Sequence, residues 1–215
     1  MDPGIERRSA LHAALGEPVR LAIVDDLAVT DRSPTELSTR FELPSNLLSH
    51  HLDVLEHVGL IERFVSSGDR RRRYVRLAQP VLGDLGVATV RSVRQVLFVC
   101  SHNSARSQLA AALWTSVTGA DATSAGTDPA DHIHPGAVAA AARAGLDLGN
   151  ARPRRLGDHE RAELVVTVCD RAHEELGPQP EWWHWSLTDP VESGTYAAFD
   201  AVVADLGGRI RAVAT

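Results

Sequence analysis

The sequence predicts two domains: a mainly α winged helix-turn-helix, then an α/β three-layer sandwich on a parallel sheet. Three observations carry this expectation. The first ninety residues hold four stretches with helical spacing of apolar residues, then two alternating strands around a turn. From Val96 onward, short apolar strands alternate with helical runs. A chain of 215 residues is long enough for two small cores.

In the first half, Glu6–Leu15 and Pro18–Leu27 have helical periodicity, with Leu11, Leu15, Leu21, Ile23 and Leu27 as candidate core. Ser33-Pro34-Thr35-Glu36 is a helix start, with Ser as N-cap, Pro in the first turn and Glu at N3. That helix is expected to reach Phe41. A second start at Pro44-Ser45-Asn46 leads a helix from Leu47 to Val58 that stops at Gly59. Two short helices joined by a tight turn make a helix-turn-helix. Leu60–Val65 alternates as a strand, Ser66-Ser67-Gly68-Asp69 is turn chemistry, and Arg70–Leu77 returns as a second strand. Arg70, Arg71, Arg72 and Arg73 at the tip of that wing suit contact with DNA phosphates. Pro80–Val90 is expected to be a last, dimer-forming helix. The domains are placed at 1–91 and 94–215, with no Gly/Ser- or Pro-rich linker between them.

Composition narrows the classes. The net charge is −6, divided as 11 Arg against 13 acids up to residue 90 and 11 Arg against 15 acids beyond it, with no Lys at all. A net acidic first half argues against bulk nucleic-acid affinity but permits binding through a local basic patch. No apolar run approaches the ~18 residues of a membrane span. The N-terminus, Met-Asp-Pro-Gly-Ile-Glu-Arg-Arg, has no signal-peptide apolar region, so a cytoplasmic protein without membrane contact is expected. Two Cys in such a chain read as reduced thiols with a chemical role.

The second half is organised around Val-Leu-Phe-Val-Cys-Ser-His-Asn-Ser-Ala-Arg-Ser-Gln, residues 96–108. A buried strand ends at Cys100, and a helix begins past Arg106. Loop N–H groups and the helix start converge there into an anion cradle from Ser101, His102, Asn103, Ser104, Ala105 and Arg106. A Cys at its mouth is expected to be acidic and nucleophilic. Arg106 can grip two oxygens of a tetrahedral oxyanion, Ser107 can donate to the sulfur, and Asn103 tolerates the positive φ of a tight loop. Ala122–Gly126 is a second strand, Pro135–Ala144 an Ala-rich helix, Leu164–Val168 a strand ending at Cys169, and Phe199–Val213 a final helix. Ligands bind at the carboxyl ends of such strands, which puts Cys100 and Cys169 on one edge. His132 and His134 have metal-ligand spacing but no third partner, so no metal is expected. Trp182, Trp183, His184 and Trp185 read as packing. Asp189, in Thr-Asp-Pro, can carry a proton to a leaving oxygen.

Two resemblances follow from these residues. Ala-Leu-Gly-Glu-Pro-Val-Arg-Leu-Ala-Ile at 14–23 and Leu-Ser-His-His-Leu-Asp-Val-Leu-Glu-His-Val-Gly-Leu-Ile at 48–61 resemble ArsR-type winged-helix repressors. That likeness implies a homodimer on operator DNA, with Ser45, Asn46, Ser49 and His50 facing the major groove and no metal role for His50 or His51. Ala28–Glu36 and Pro80–Val90 contain neither Cys nor His, so the sensing sites common in that family are absent.

Residues 94–215 resemble the low-molecular-weight protein tyrosine phosphatase superfamily, above all its thiol-coupled arsenate reductases. The resemblance implies a low-molecular-weight phosphatase-like fold and an arsenate or phosphate substrate. It also implies roles for Cys100 as nucleophile, Arg106 as oxyanion clamp and Asp189 as general acid. Three features favour arsenate: Gln108 where the phosphatases tend to have Pro, Val191-Glu192 where they place Tyr, and Cys169 closing a strand like that of the reductases' resolving Cys. The thioredoxin-linked reductases carry one more Cys where Leu176 stands here, and His102 replaces the Gly usual in phosphatase loops. With no bound cofactor expected, the reductant is an external thiol system, mycothiol- or glutaredoxin-like or thioredoxin-like. The alternatives are a regulator whose second half only senses oxyanion or redox state, and a tyrosine phosphatase.

Overall fold

The computed structural model describes residues 3–78, 93–157 and 162–213. The chain divides into two units, one built on the N-terminal helices and hairpin and one on the C-terminal parallel sheet. The helix expected over Pro80–Val90 and the boundary at residue 91 lie outside the described residues.

The N-terminal unit runs α1 (Pro3–Leu15), α2 (Pro18–Leu27), α3 (Pro34–Arg40), α4 (Ser45–His57), β1 (Ile61–Val65) and β2 (Arg73–Leu77). Its helix starts follow the local chemistry. Ser33 accepts the Glu36 N–H while the Glu36 side chain accepts the Ser33 N–H, a full capping box, and Pro34 stands in the first turn. Gly59, just past α4, takes φ +76°, the left-handed geometry that ends a helix. The strands pair antiparallel, Ile61 opposite Leu77 and Val65 opposite Arg73.

The core is formed by Leu11, Ile23, Val24, Leu27, Leu37, Leu48, Leu52 and Leu55, closed by Leu60, Ile61, Val75 and Leu77 from the hairpin. Two expectations are corrected. Leu21 is exposed: Ile23, Val24 and Leu27 define the buried stripe of α2, and Leu21 falls outside it. The second strand begins at Arg73, because Arg70–Arg72 are spent in the turn.

The C-terminal unit holds a four-stranded sheet in the order β4-β3-β5-β6, every neighbouring pair parallel. Its elements are β3 (Gln95–Cys100), α5 (Arg106–Thr118), β4 (Asp121–Gly126), α6 (Pro135–Arg143), β5 (Leu164–Thr167), α7 (Asp170–Leu176), β6 (Trp183–His184), α8 (Pro190–Ser193) and α9 (Tyr196–Val213). Helix α5 packs on β3 and β4, α9 on α5 and α6, and α7 on β3 and β5. This is the α/β sandwich expected from the alternation of strands and helices.

The central strand β3 is buried from Val96 to Cys100, as a parallel strand covered on both faces must be. Phe98 is fully buried between Trp114 of α5 and Trp185, its ring 5.9 Å from each. No helix among the described residues is long and apolar enough to cross a membrane.

Candidate active site

The loop after β3 is shaped by where its carbonyl groups go. The carbonyl oxygens of Cys100, Ser101, His102 and Ser104 accept the N–H groups of Thr127, Asp128, Ala130 and His134 at 2.9–3.2 Å. All four are drawn outward onto the segment that follows β4. In a trans peptide the N–H points opposite to the carbonyl. The N–H groups of Ser101, His102, Asn103 and Ala105 are thereby turned inward, and that of Asn103 ends on Cys100 Sγ at 3.2 Å. Asn103 makes the bend with φ +48°, a region Asn enters more readily than most side chains. The result is a nest of donors around the sulfur at the start of α5, the arrangement that holds an anion.

Close approach of backbones makes this possible. Gly126 pairs with Cys100 across β3 and β4. A Cβ there would lie 2.5 Å from the Ser101 carbonyl oxygen and 3.0 Å from Asn103 Cβ. Gly126→Ala must therefore push the loop outward. We expect a loss of about 1–3 kcal/mol in urea unfolding and at least a roughly tenfold fall in turnover from the displaced donors.

The charged groups converge on the same point. Arg106, buried at the first turn of α5, donates from one terminal nitrogen to the Leu187 carbonyl at 3.0 Å and from the other to Asp189 Oδ2 at 2.5 Å. Asp189 is itself anchored as the N-cap of α8, accepting the Val191 N–H at 3.0 Å. Ser107 Oγ lies 3.0 Å from Cys100 Sγ. The pocket above Cys100 and Arg106 is rimmed by Ala130, His132, Arg171, Val191 and Glu192. The side chains of Cys100, Arg106, Ser107 and Asp189 are thus brought together with the loop from Ser101 to Ala105.

Cys169 lies behind that loop. It follows β5, N-caps α7 by accepting the Ala172 N–H at 3.3 Å, and places its sulfur 3.5 Å from Ser101 Oγ. Burial pushes its thiol up. The Arg106 charge opposes that shift, and the neighbouring Cys100 reinforces it.

Several contributions are not legible in the sequence. Gly126 is one. His134, whose spacing from His132 suits a metal ligand, is instead the N-cap of α6, accepting the Gly136 N–H through Nδ1 and stacking on Phe199 at 5.0 Å. His184 is not simple packing. It is fully buried, with Nε2 3.1 Å from Asp170 and Nδ1 2.9 Å from Thr167 Oγ1, and its ring stacks on His173 at 4.1 Å. Burial works to raise the Asp170 carboxyl, but the hydrogen bond and charge of His184 and a bond from Ser186 outweigh it and hold the carboxyl well below the usual range. Nothing in the Trp-Trp-His-Trp run distinguishes this histidine from its neighbours.

In the N-terminal unit, Ser45, Asn46, Ser49 and His50 are exposed on α4, while Leu48, Leu52 and Leu55 face the core and His51 is buried. Arg70, Arg71, Arg72 and Arg73 are exposed at the hairpin turn.

A strand-end thiol in a nest of backbone donors, flanked by a guanidinium and a carboxyl, is an arrangement able to hold a small anion. Comparison with known proteins is in accord. The chain belongs to the low molecular weight phosphotyrosine protein phosphatase family, whose model matches residues 95–215, and a helix-turn-helix domain model matches residues 15–63.

Among curated relatives, an arsenate reductase of Halalkalibacterium halodurans is 32% identical over 131 residues, covering 55% of this chain and 94% of the relative. An arsenate reductase of Bacillus subtilis is 30% identical over 128 residues, covering 54% of this chain and 91% of the relative. Among solved structures, a mutant of YwlE from Bacillus subtilis superposes with TM-score 0.50 at 22% identity, covering 55% of this chain and 94% of that one. The tyrosine phosphatase Wzb from Escherichia coli K30 does so with TM-score 0.50 at 20% identity, covering 55% and 94%. These two establish likeness of fold.

Proposed function

We propose that the chain is a thiol-dependent arsenate reductase joined to its own DNA-binding regulator. The observation that carries the reading is Cys100 Sγ in a nest of inward N–H groups, with Arg106 and Asp189 on its rim. The relatives named arsenate reductase, matched along nearly their whole length, supply the substrate. The pocket supports a small anion: among the described residues that line it there is no Phe, Tyr or Trp to hold an aryl group.

The geometry supports the following steps. Arsenate enters the nest, its equatorial oxygens facing the loop N–H groups and Arg106. The Cys100 thiolate attacks arsenic, forming an S–As bond while one As–O bond breaks. Asp189, at the rim, gives its proton to a departing hydroxyl of the arsenate, which leaves as water. A second thiolate then attacks Cys100 sulfur. The S–As electron pair passes to arsenic, which leaves as arsenite, and the two sulfurs become a disulfide. Arsenic gains two electrons and two thiols lose one each.

An external thiol suits the second step best. Burial keeps Cys169 protonated at neutral pH, and its sulfur is engaged by Ser101 and the start of α7. The regulator half is proposed to bind operator DNA as a homodimer, Ser45, Asn46, Ser49 and His50 reading bases and the wing arginines gripping phosphate.

The test is arsenite formation against a panel of donors: a low-molecular-weight thiol alone, the same thiol with a glutaredoxin, and a thioredoxin system. Turnover with a low-molecular-weight thiol, retained in Cys169→Ser, is expected. Were Cys169 the resolving thiol, its raised pKa would make its thiolate scarce at neutral pH. Turnover would then climb as pH rises through the thiol range and vanish in Cys169→Ser. No arsenite with any donor would overturn the reading.

A further inference from the structure

Gln108 is buried at the third position of α5, facing away from the oxyanion pocket toward the back of the loop. Its side-chain nitrogen lies 3.1 Å from the Asn103 carbonyl oxygen, 3.1 Å from Asn103 Oδ1 and 3.2 Å from the Arg152 carbonyl oxygen. Three oxygens around one atom of an amide identify that atom as the donor nitrogen. A flipped amide would set oxygen against three acceptors.

The orientation of Asn103 follows. Its Oδ1 receives two donors, Gln108 Nε2 and the Arg154 N–H at 2.9 Å. Its Nδ2 must then face Ser107 Oγ, 2.8 Å away, as donor. Ser107 Oγ accepts there, so its own proton is directed to Cys100 Sγ at 3.0 Å. Every donor in the series points toward the sulfur: Gln108 to Asn103, Asn103 to Ser107, Ser107 to Cys100.

We infer that Gln108 is a positioning residue for the Cys100 thiolate, setting the sense of the donor chain that ends on the sulfur and pinning the left-handed bend at Asn103. This rests on the reading of Cys100 as the nucleophile. Donation to the ionised form of a thiol favours that form, and aligned donors strengthen one another. Gln108 touches neither substrate nor sulfur and acts through Asn103 and Ser107. The role also gives a physical content to Gln at this position: a Pro there has no side-chain donor with which to hold the loop.

The test reads Cys100 directly, without arsenate. The full chain is alkylated with iodoacetamide across pH, and modification of Cys100 is followed by peptide mapping, which separates it from Cys169. The parent's rate against pH is the reference profile for Cys100. In Gln108→Met the rate near pH 6 is expected to fall about tenfold while the alkaline plateau stays unchanged, the signature of a lost thiolate preference and not of a disturbed fold. Gln108→Lys keeps a donor at this place and is expected to recover most of the parent profile. If Gln108→Met does not fold, Gln108→Asn, with a donor of shorter reach, carries the test with the same expected shift.

A parent Cys100 that titrates like an ordinary cysteine would remove the nucleophile itself. An acid-shifted parent with a superimposable variant profile would remove only the role of Gln108.

Discussion

Under the proposed function, Cys100→Ser is expected to end arsenite formation, with turnover falling on the order of 10⁴-fold or more and no thiol donor restoring it. Two separate losses stack. A serine hydroxyl is not ionised near neutral pH and is a far weaker nucleophile than a thiol. More decisively, in the proposed reaction the electrons that reduce arsenic come from sulfur. The second step makes an S–S bond as the S–As pair collapses onto arsenic, and an oxygen at that position cannot be attacked by a thiol to give a disulfide. Even an arsenate ester formed on the introduced hydroxyl could only hydrolyse back to arsenate.

The substitution should leave the fold intact. Ser differs from Cys by one atom, position 100 is buried, and Ser107 Oγ, 3.0 Å from the sulfur, stands beside the new hydroxyl. Arsenite measured by a coupled assay, beside an unchanged thermal melt, checks it. Turnover in the variant above about one per cent of the parent would mean that the reducing sulfur is elsewhere.

What could be read from the sequence is what is local. The capping box at Ser33–Glu36, the stop at Gly59 and the strand-loop-helix from Val96 to Gln108 are each specified within a few residues, and the sandwich follows from the alternation of strands and helices. What could not be read depends on register. Gly126 matters only because β4 pairs in parallel with β3 so that residue 126 falls opposite Cys100. The amide of Asn103 is oriented by the Arg154 N–H, 51 residues away, which no spacing rule anticipates. His184 becomes a buried partner of Asp170 because β6 pairs with β5 and sets residue 184 opposite Thr167. Leu21 departs from expectation for the converse reason, since apolar character alone does not say on which side of the α2 stripe a residue falls.

The wing carries the second large effect. Changing Arg70, Arg71, Arg72 and Arg73 together to Ala is expected to weaken binding to a duplex of arbitrary sequence about a hundredfold at moderate salt. It should also flatten the dependence of log K on log salt by about 3 to 4, because each phosphate neutralised contributes a slope of about 0.9. Arbitrary duplex is the right probe, since phosphate contact is blind to sequence and needs no knowledge of the operator.

The size of the effect follows from the charge balance. The first ninety residues carry a net −2, so their summed field repels DNA and any affinity must come from a concentrated patch. Removing four positive charges leaves −6 and takes away the only run of four consecutive arginines in the chain. Backbone bonds hold the hairpin across this turn: the Arg72 carbonyl accepts the Ser66 N–H at 3.1 Å, and Arg73 pairs through its main chain with Val65. Anisotropy titrations of a labelled duplex at several salt concentrations read affinity and slope together. Affinity lost with the slope unchanged would place the arginines off the phosphates and assign the loss to structure, whereas a slope reduced by the expected amount places all four on the DNA backbone.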